Sequence, residues 1–156
     1  MELQADFDLP LELLIAAIVI LLVISALFSA SETAFTAAQK ARIHRLSVSG
    51  SRRAEITERL INDRESVLGT VLLGNNLVNI LASALATSML IGLFGDAGVA
   101  YATVLMTVLV VVFTEVLPKT FAITQPERTA LSVVLVMNGV IWVLRPMVAL
   151  VRMMVR

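Results

Sequence analysis

The stretch LELLIAAIVILLVISALFSA, Leu11–Ala30, carries one charged side chain, Glu12, at its edge. A helix of about 20 residues rises about 30 Å, the thickness of a bilayer's hydrocarbon core. The stretch therefore predicts a membrane-spanning helix. The ten residues before it, Met1–Pro10, hold Glu2, Asp6 and Asp8 and no Lys or Arg. A cleaved signal peptide needs the opposite charge there, so the run reads as a true span. Two comparable runs follow, Val67–Phe94 and Val99–Leu117, the latter with Glu115 near its end. A fourth apolar run, Thr129–Leu144, lies between Pro126 and Pro146. At about 16 residues it suits an interfacial or re-entrant segment better than a full crossing.

Composition agrees. The chain has 156 residues, 58% hydrophobic and 15% charged, with no net charge. Soluble domains carry about 25% charged residues. There is no cysteine and one histidine, which removes disulfides, thiolate sites and His-paired metal centres. A membrane metalloprotease helix needs two histidines. The lone His44 lies outside the apolar runs, and Asp63 and Asp96 fall on opposite sides of the membrane. No intramembrane enzyme is expected, and a nucleic-acid partner has no basic surplus to bind it.

The basic residues set the orientation. Lys40, Arg42, Arg45, Arg52, Arg53, Arg59 and Arg64 lie between spans one and two, and Lys119, Arg128, Arg145, Arg152 and Arg156 follow span three. The outer connections have none. The positive-inside rule then puts the N-terminus outside and the C-terminus in the cytoplasm of a cell-membrane, multi-pass protein. A fourth crossing would carry Arg145, Arg152 and Arg156 outside. The expected fold is all-α and integral to the membrane. It is one transmembrane domain over 1–156, with three spans at about 11–37, 67–94 and 99–117. A cytoplasmic helix-turn-helix occupies about 39–66, and juxtamembrane or interfacial helices occupy about 126–156. The hairpin turns at Ser49-Gly50-Ser51, and Ile43, Leu46, Ile56, Leu60 and Ile61 recur at helical spacing. Its basic face suits either solvent or anionic lipid headgroups. His44 reads as a surface residue.

Polar groups inside spans are costly and are functional candidates by default. Ser25, Ser29 and Glu32 share one face of span one, with Ser31 and Thr33 close by. Asn75, Asn79 and Ser83 repeat every four residues in span two, with Gly74 and Asn76 beside them. Thr114 and Glu115 close span three. Pro118 has no N–H to give the carbonyl of Thr114, four residues back. Lys119 is placed to pair with Glu115 at i, i+4. At 1.5 Å per residue, Gly74–Asn79 lies roughly 10–18 Å from the inner face, so the three clusters can meet in the inner half of the membrane. They offer hydroxyl, amide, carboxylate and backbone oxygens, ligands for Mg²⁺, Ca²⁺ or Na⁺. Ser83, Thr87, Thr103 and Thr107 read as ordinary bonders of their own helix backbone.

Three stretches carry a family resemblance: Phe28-Ser29-Ala30-Ser31-Glu32-Thr33-Ala34, Gly74-Asn75-Asn76-Leu77-Val78-Asn79-Ile80 and Thr114-Glu115-Val116-Leu117-Pro118-Lys119-Thr120. In order, spacing and topology they resemble the hallmark motifs of the cyclin-M/CorC transmembrane domain, from about Leu11 to Arg156. The resemblance implies a homodimeric magnesium transporter that extrudes Mg²⁺ with Na⁺ as coupling ion. It implies a metal site drawn from Ser25, Ser29 or Ser31, from Gly74 through its carbonyl, from Asn75 and from Glu115. Asn76, Asn79 and Thr114 would be neighbours or Na⁺ ligands, with Glu32 and Pro118 as secondary positions. It also implies a paired CBS domain downstream, absent from this chain, through which alone nucleotide would bind. Three spans are too few to seal a pathway. This independently favours a dimer, with the small residues of Ala82–Ser88 suited to a close helix contact. The competing expectation is a non-transporting membrane anchor or Mg²⁺ sensor for a cytoplasmic domain, which has no need of so many oxygen ligands at one depth.

Overall fold

A computed structural model of the chain describes residues 10–155; the acidic stretch 1–9 and Arg156 lie outside the described residues, as do the side chains of Arg145 and Arg152. All regular structure among the described residues is helical. That is what a chain in hydrocarbon requires, since only a helix satisfies its backbone polar groups within one segment. Helix α1 spans Leu11–Ala37, α2 Lys40–Val48, α3 Arg52–Asn62 and α4 Arg64–Phe94. Helix α5 spans Ala97–Val108 and passes through a π-helical segment, Leu109–Val116, into α6, Leu117–Thr124; α7 spans Pro126–Val155.

The expected cytoplasmic hairpin is α2 and α3. Its turn uses Gly50 at φ +93°, a conformation that excludes most side chains, and the Ser51 side chain caps α3 by accepting from the Ala54 N–H at 3.4 Å. His44 is not idle there: its Nδ1 lies 2.7 Å from Glu58. That hydrogen bond, with a second from Ser47, holds the Glu58 carboxyl below its ordinary value. At the far end, α4 stops at Gly95, φ +61°, and α5 begins at once. The third span runs without a break from Ala97 to Thr124, well past the expected end at 117. Pro118 does not end it, because it stands in the first turn of α6, where the missing N–H is best tolerated.

Helix α1 is the hub. It packs on α4, α6, α7 and the π-helical segment. One apolar cluster joins Phe28, Phe35, Ile43, Ile61, Val71, Val134 and Met137, tying the hairpin and α7 to the inner halves of α1 and α4. A smaller one joins Ile18, Ala82, Ala86 and Met106 towards the other end. Large apolar side chains such as Ile20, Val23, Ile80 and Val104 point outward, as lipid-facing residues do.

Four helices are long and apolar enough to cross a membrane by length and composition, the fourth being Pro126–Leu144. The sequence expectation of a run bounded by two prolines is corrected here. Pro126 opens the helix, and α7 then continues through Pro146. A proline inside a helix leaves the carbonyl four residues back, that of Trp142, without its N–H, a loss membrane helices tolerate. From Glu127 to Trp142 α7 stays beside the hairpin. Glu127 accepts from the Gln39 N–H at 3.4 Å and lies 3.7 Å from Arg42. Further along, Asn138 and Trp142 line a cleft with Arg59 and Asp63.

The turn between α4 and α5 is tight enough to test. A Cβ on Gly98 would lie 2.3 Å from the Leu90 carbonyl oxygen, whereas one on Gly92 would meet nothing within 4 Å. Gly98→Ala is expected to destabilise the protein by about 1–3 kcal/mol, as overpacking against backbone does, and Gly92→Ala to be near neutral. Thermal unfolding in detergent checks this; equal midpoints for the two variants would contradict it.

Candidate cation site

The C-terminal half of α1 turns its serines towards α4. Ser25 is fully buried, and its hydroxyl donates to Asn75 Oδ1 at 2.7 Å. That bond joins two of the three sequence clusters directly. It leaves lone pairs on both oxygens free to accept a cation or a further donor. One turn along, Ser29 is equally buried, and its Oγ has no hydrogen-bond partner among the described residues. Leaving a hydroxyl so costs about 1–3 kcal/mol, so this is a group built for something not provided by its own helix. Ser31 differs. It too is buried, but it donates to the Leu27 carbonyl at 2.6 Å, so its proton is spent within α1. Its oxygen keeps lone pairs for a cation, as that of Ser25 does; what sets Ser25 and Ser29 apart is that neither donates to its own helix backbone.

Gly74 explains how the helices come so close. A Cβ there would lie 2.6 Å and 2.8 Å from two ring carbons of Phe28. The ring occupies the space that any other residue would fill, and so Asn75 reaches Ser25. The other asparagines part company. Asn76 is exposed. Asn79 has a buried, unpartnered Oδ1 but lines a separate groove with Ser83, Thr87, Thr103 and Thr107. In that groove Thr87, Thr103 and Thr107 donate to the carbonyls four residues back, as the sequence suggested.

The third cluster sits on the π-helical segment, which packs on α1. The Leu117 N–H reaches the Val112 carbonyl, five residues back. The return to four-residue spacing in α6 skips one carbonyl, and Pro118 withholds one donor. The carbonyls of Phe113 and Thr114, five and four residues back, are those an N–H at position 118 would have served in the two registers. The sequence expectation of one freed carbonyl, that of Thr114, is enlarged by this change of register. Thr114 is buried, with its hydroxyl donating to the Val110 carbonyl at 2.9 Å.

The i, i+4 pair that sequence spacing allowed between Glu115 and Lys119 does not form. Lys119 pairs not with Glu115 but with Glu32 of α1, at 3.4 Å. Glu32 comes to Lys119 from the packed neighbour, α1. Glu115 is half-buried and has no ion pair among the described residues. Among the same residues, no three His, Asp or Glu side chains converge. A cation held here would meet mostly neutral oxygens and one carboxylate, and Glu32 would be spent on Lys119. Two features escaped the sequence reading, the π register and the Glu32–Lys119 pair. Only Pro118, three residues after Glu115, hinted at the first.

Residues 16–156 match the family model described as the cyclin M transmembrane N-terminal domain. The chain is 42% identical over 140 residues to UPF0053 inner membrane protein YfjD of Escherichia coli, covering 85% of this chain and 32% of that protein. It is 39% identical over 141 residues to a UPF0053 protein of Haemophilus influenzae, covering 90% and 34%. It is 30% identical over 147 residues to a protein named polyamine export protein from the same organism, covering 86% and 34%. The chain thus spans about a third of the length of these relatives.

The close approach at Gly74 gives a direct test of this geometry. Gly74→Ala is expected to destabilise the helix pair by about 1–3 kcal/mol, and Phe28→Leu in the same chain to recover part of the loss by vacating the ring's space. Thermal unfolding of the two single variants and the double variant reads the coupling. Strict additivity would mean that Phe28 and Gly74 do not meet.

Proposed function

The chain belongs to the cyclin M transmembrane-domain family, and we propose that this multi-pass membrane protein exports Mg²⁺ from the cytoplasm, with Na⁺ as the coupling ion. One observation carries the reading. Ser25 and Asn75 make a buried interhelical pair, next to an unpartnered Ser29, on the same helix that packs against the Glu115 segment. An anchor has no use for such costly groups in hydrocarbon.

In this reading a cation enters from the cytoplasm between α1, α4 and the π-helical segment. Mg²⁺ sheds water reluctantly and keeps several waters in most protein sites. The Ser25, Ser29 and Asn75 oxygens replace part of that shell, and the carbonyls of Gly74 and of the π segment supply more. Glu115 provides the charge that offsets dehydration. A single carboxylate keeps the site weak, which transport needs, since affinity rises with ligand charge and a transporter must release its cargo. Na⁺ would bind nearby, with Asn79, Asn76 and Thr114 as candidate ligands, and would drive export only by binding the outward-facing state more tightly. A second copy of the chain would seal the pathway.

The same reading keeps three crossings with the N-terminus outside, and lays α7 along the inner surface. The support is its continued contact with the charged hairpin, first at Glu127 and again at Asn138 and Trp142. Fifteen residues of helix cover about 22 Å, so a helix crossing the bilayer would have left the hairpin behind. Lysine and arginine placement gives the same answer. A second reading, export of an organic polycation, takes its support from the relative named for polyamine export.

Flux into proteoliposomes tests both. Purified protein is expected to move Mg²⁺ along an opposing Na⁺ gradient. Glu115→Gln and Asn75→Ala should each lower the flux about tenfold or more, the weight of one ligand bond to a charge. Asp96→Asn in the outer turn should leave it unchanged. Spermidine flux without Mg²⁺ flux would select the second reading, and no flux of either would return the anchor.

A further inference from the structure

We propose that the groove between α1, α6 and α7 is a binding site for one anionic phospholipid, with an acyl chain on its apolar wall and the phosphate on Arg128. The groove encloses about 730 Å³ and is made of two chemically different ends. Its apolar end is formed by Val23 and Leu27 of α1, with Phe121 of α6 nearer the polar end. All three are exposed, Val23 at 56% and Phe121 at 61%, on helices of membrane-spanning length, so this end opens sideways into hydrocarbon. The α1 wall runs from Val23 to Ala30, about 10 Å of helix rise. The polar end holds Arg128, Thr129 and Ser132, all on the first turns of α7.

Arg128 is the charged group of the groove, and it is exposed. Its one hydrogen bond is long and neutral, from Nη1 to Gln125 Oε1 at 3.4 Å, and it has no ion pair among the described residues. The acids that might have neutralised it are engaged elsewhere. Glu127, its neighbour in sequence, accepts from the Gln39 N–H and lies 3.7 Å from Arg42. Glu32 is taken by Lys119. A guanidinium with most of its five donors unspent matches a phosphate, which it can bind through two parallel hydrogen bonds. The Ser132 hydroxyl donates to the Arg128 carbonyl, which leaves its own oxygen able to accept from a headgroup hydroxyl.

The occupant is an amphiphile because the site is amphiphilic along one line. A soluble anion would leave the apolar Val23–Leu27 wall empty of matching chemistry, and a hydrocarbon chain alone would leave the guanidinium's donors unused by the ligand. Basic pockets between membrane helices on the cytoplasmic side are where anionic headgroups are held. The site requires only that the domain sits in a membrane. It holds whatever ion the protein carries, so its test is separate from the flux test.

Native mass spectrometry of the full-length, delipidated protein reads the site. The titrants are phosphatidylglycerol and phosphatidylcholine with matched chains. One phosphatidylglycerol per chain is expected to bind about fivefold tighter than phosphatidylcholine, the weight of one arginine at an anionic surface. Arg128→Gln should abolish that preference, and Arg45→Gln, on the exposed hairpin outside the groove, should retain it. Ala26→Trp fills the apolar wall and should weaken both lipids. A wild-type protein with no preference, or a preference that survives Arg128→Gln, would overturn the proposal. So would unchanged binding of both lipids to a folded Ala26→Trp protein.

Discussion

A polar side chain in hydrocarbon must find a partner, and in this chain the partner is on the next helix. The Ser25–Asn75 hydrogen bond fixes how α1 and α4 lie against each other. Bonds of this kind contribute only about 0.6 kcal/mol on average, so their value lies in register more than in strength. The remaining packing fits that register. Phe28 fills the space left by Gly74, three residues past Ser25 and one before Asn75. The inner cluster of Phe35, Val71 and Met137 then closes beneath the pair and carries the hairpin and α7 with it. Were α1 rotated by one residue, Ser25 and Ser29 would face lipid, and the phenyl ring would lose its place over the glycine.

That register also divides the polar residues by task. Those bonded to their own helix, such as Ser31, Thr103, Thr107 and Thr114, have spent their donor protons at home. Ser25 and Asn75 bridge two helices, and Ser29 Oγ and Asn79 Oδ1 have no partner. The carbonyls gathered around Pro118 add acceptors without adding charge. On the reading proposed above, this is a cation site of low charge density, suited to passing an ion on. It leaves Glu115 as the carboxylate free to act, because Glu32 and Lys119 neutralise each other at its side.

Much of this was legible from residue type and spacing. The apolar run of residues 11–30, the Ser49-Gly50-Ser51 turn and the Gly95 break each follow from a local rule, and each appears where the rule places it. The membership of the polar face was also legible, since four-residue spacing puts Ser25 beside Ser29 whatever surrounds them. What stayed hidden depends on neighbours distant in sequence. Ser31 and Ser29 are alike in type, and only the local helix geometry shows that one hydroxyl turns back on Leu27 and the other does not. Lys119 had a possible partner four residues away and pairs instead with Glu32 of α1, a neighbour that spacing along its own helix does not reveal. The continuation of α7 through Pro146 costs one backbone hydrogen bond, a loss that helices in membranes tolerate.

The account turns on whether a cation binds between Ser25, Asn75 and Glu115. A structure determined in Mg²⁺, with a Mn²⁺ anomalous map to mark the ion, decides it. The account predicts an ion in the inner half of the membrane with octahedral oxygens at about 2.1 Å, among them Asn75 and a hydroxyl of α1. An ion bound only at the surface acids, with the Ser25–Asn75 pair unaltered and no density beside it, would contradict the account.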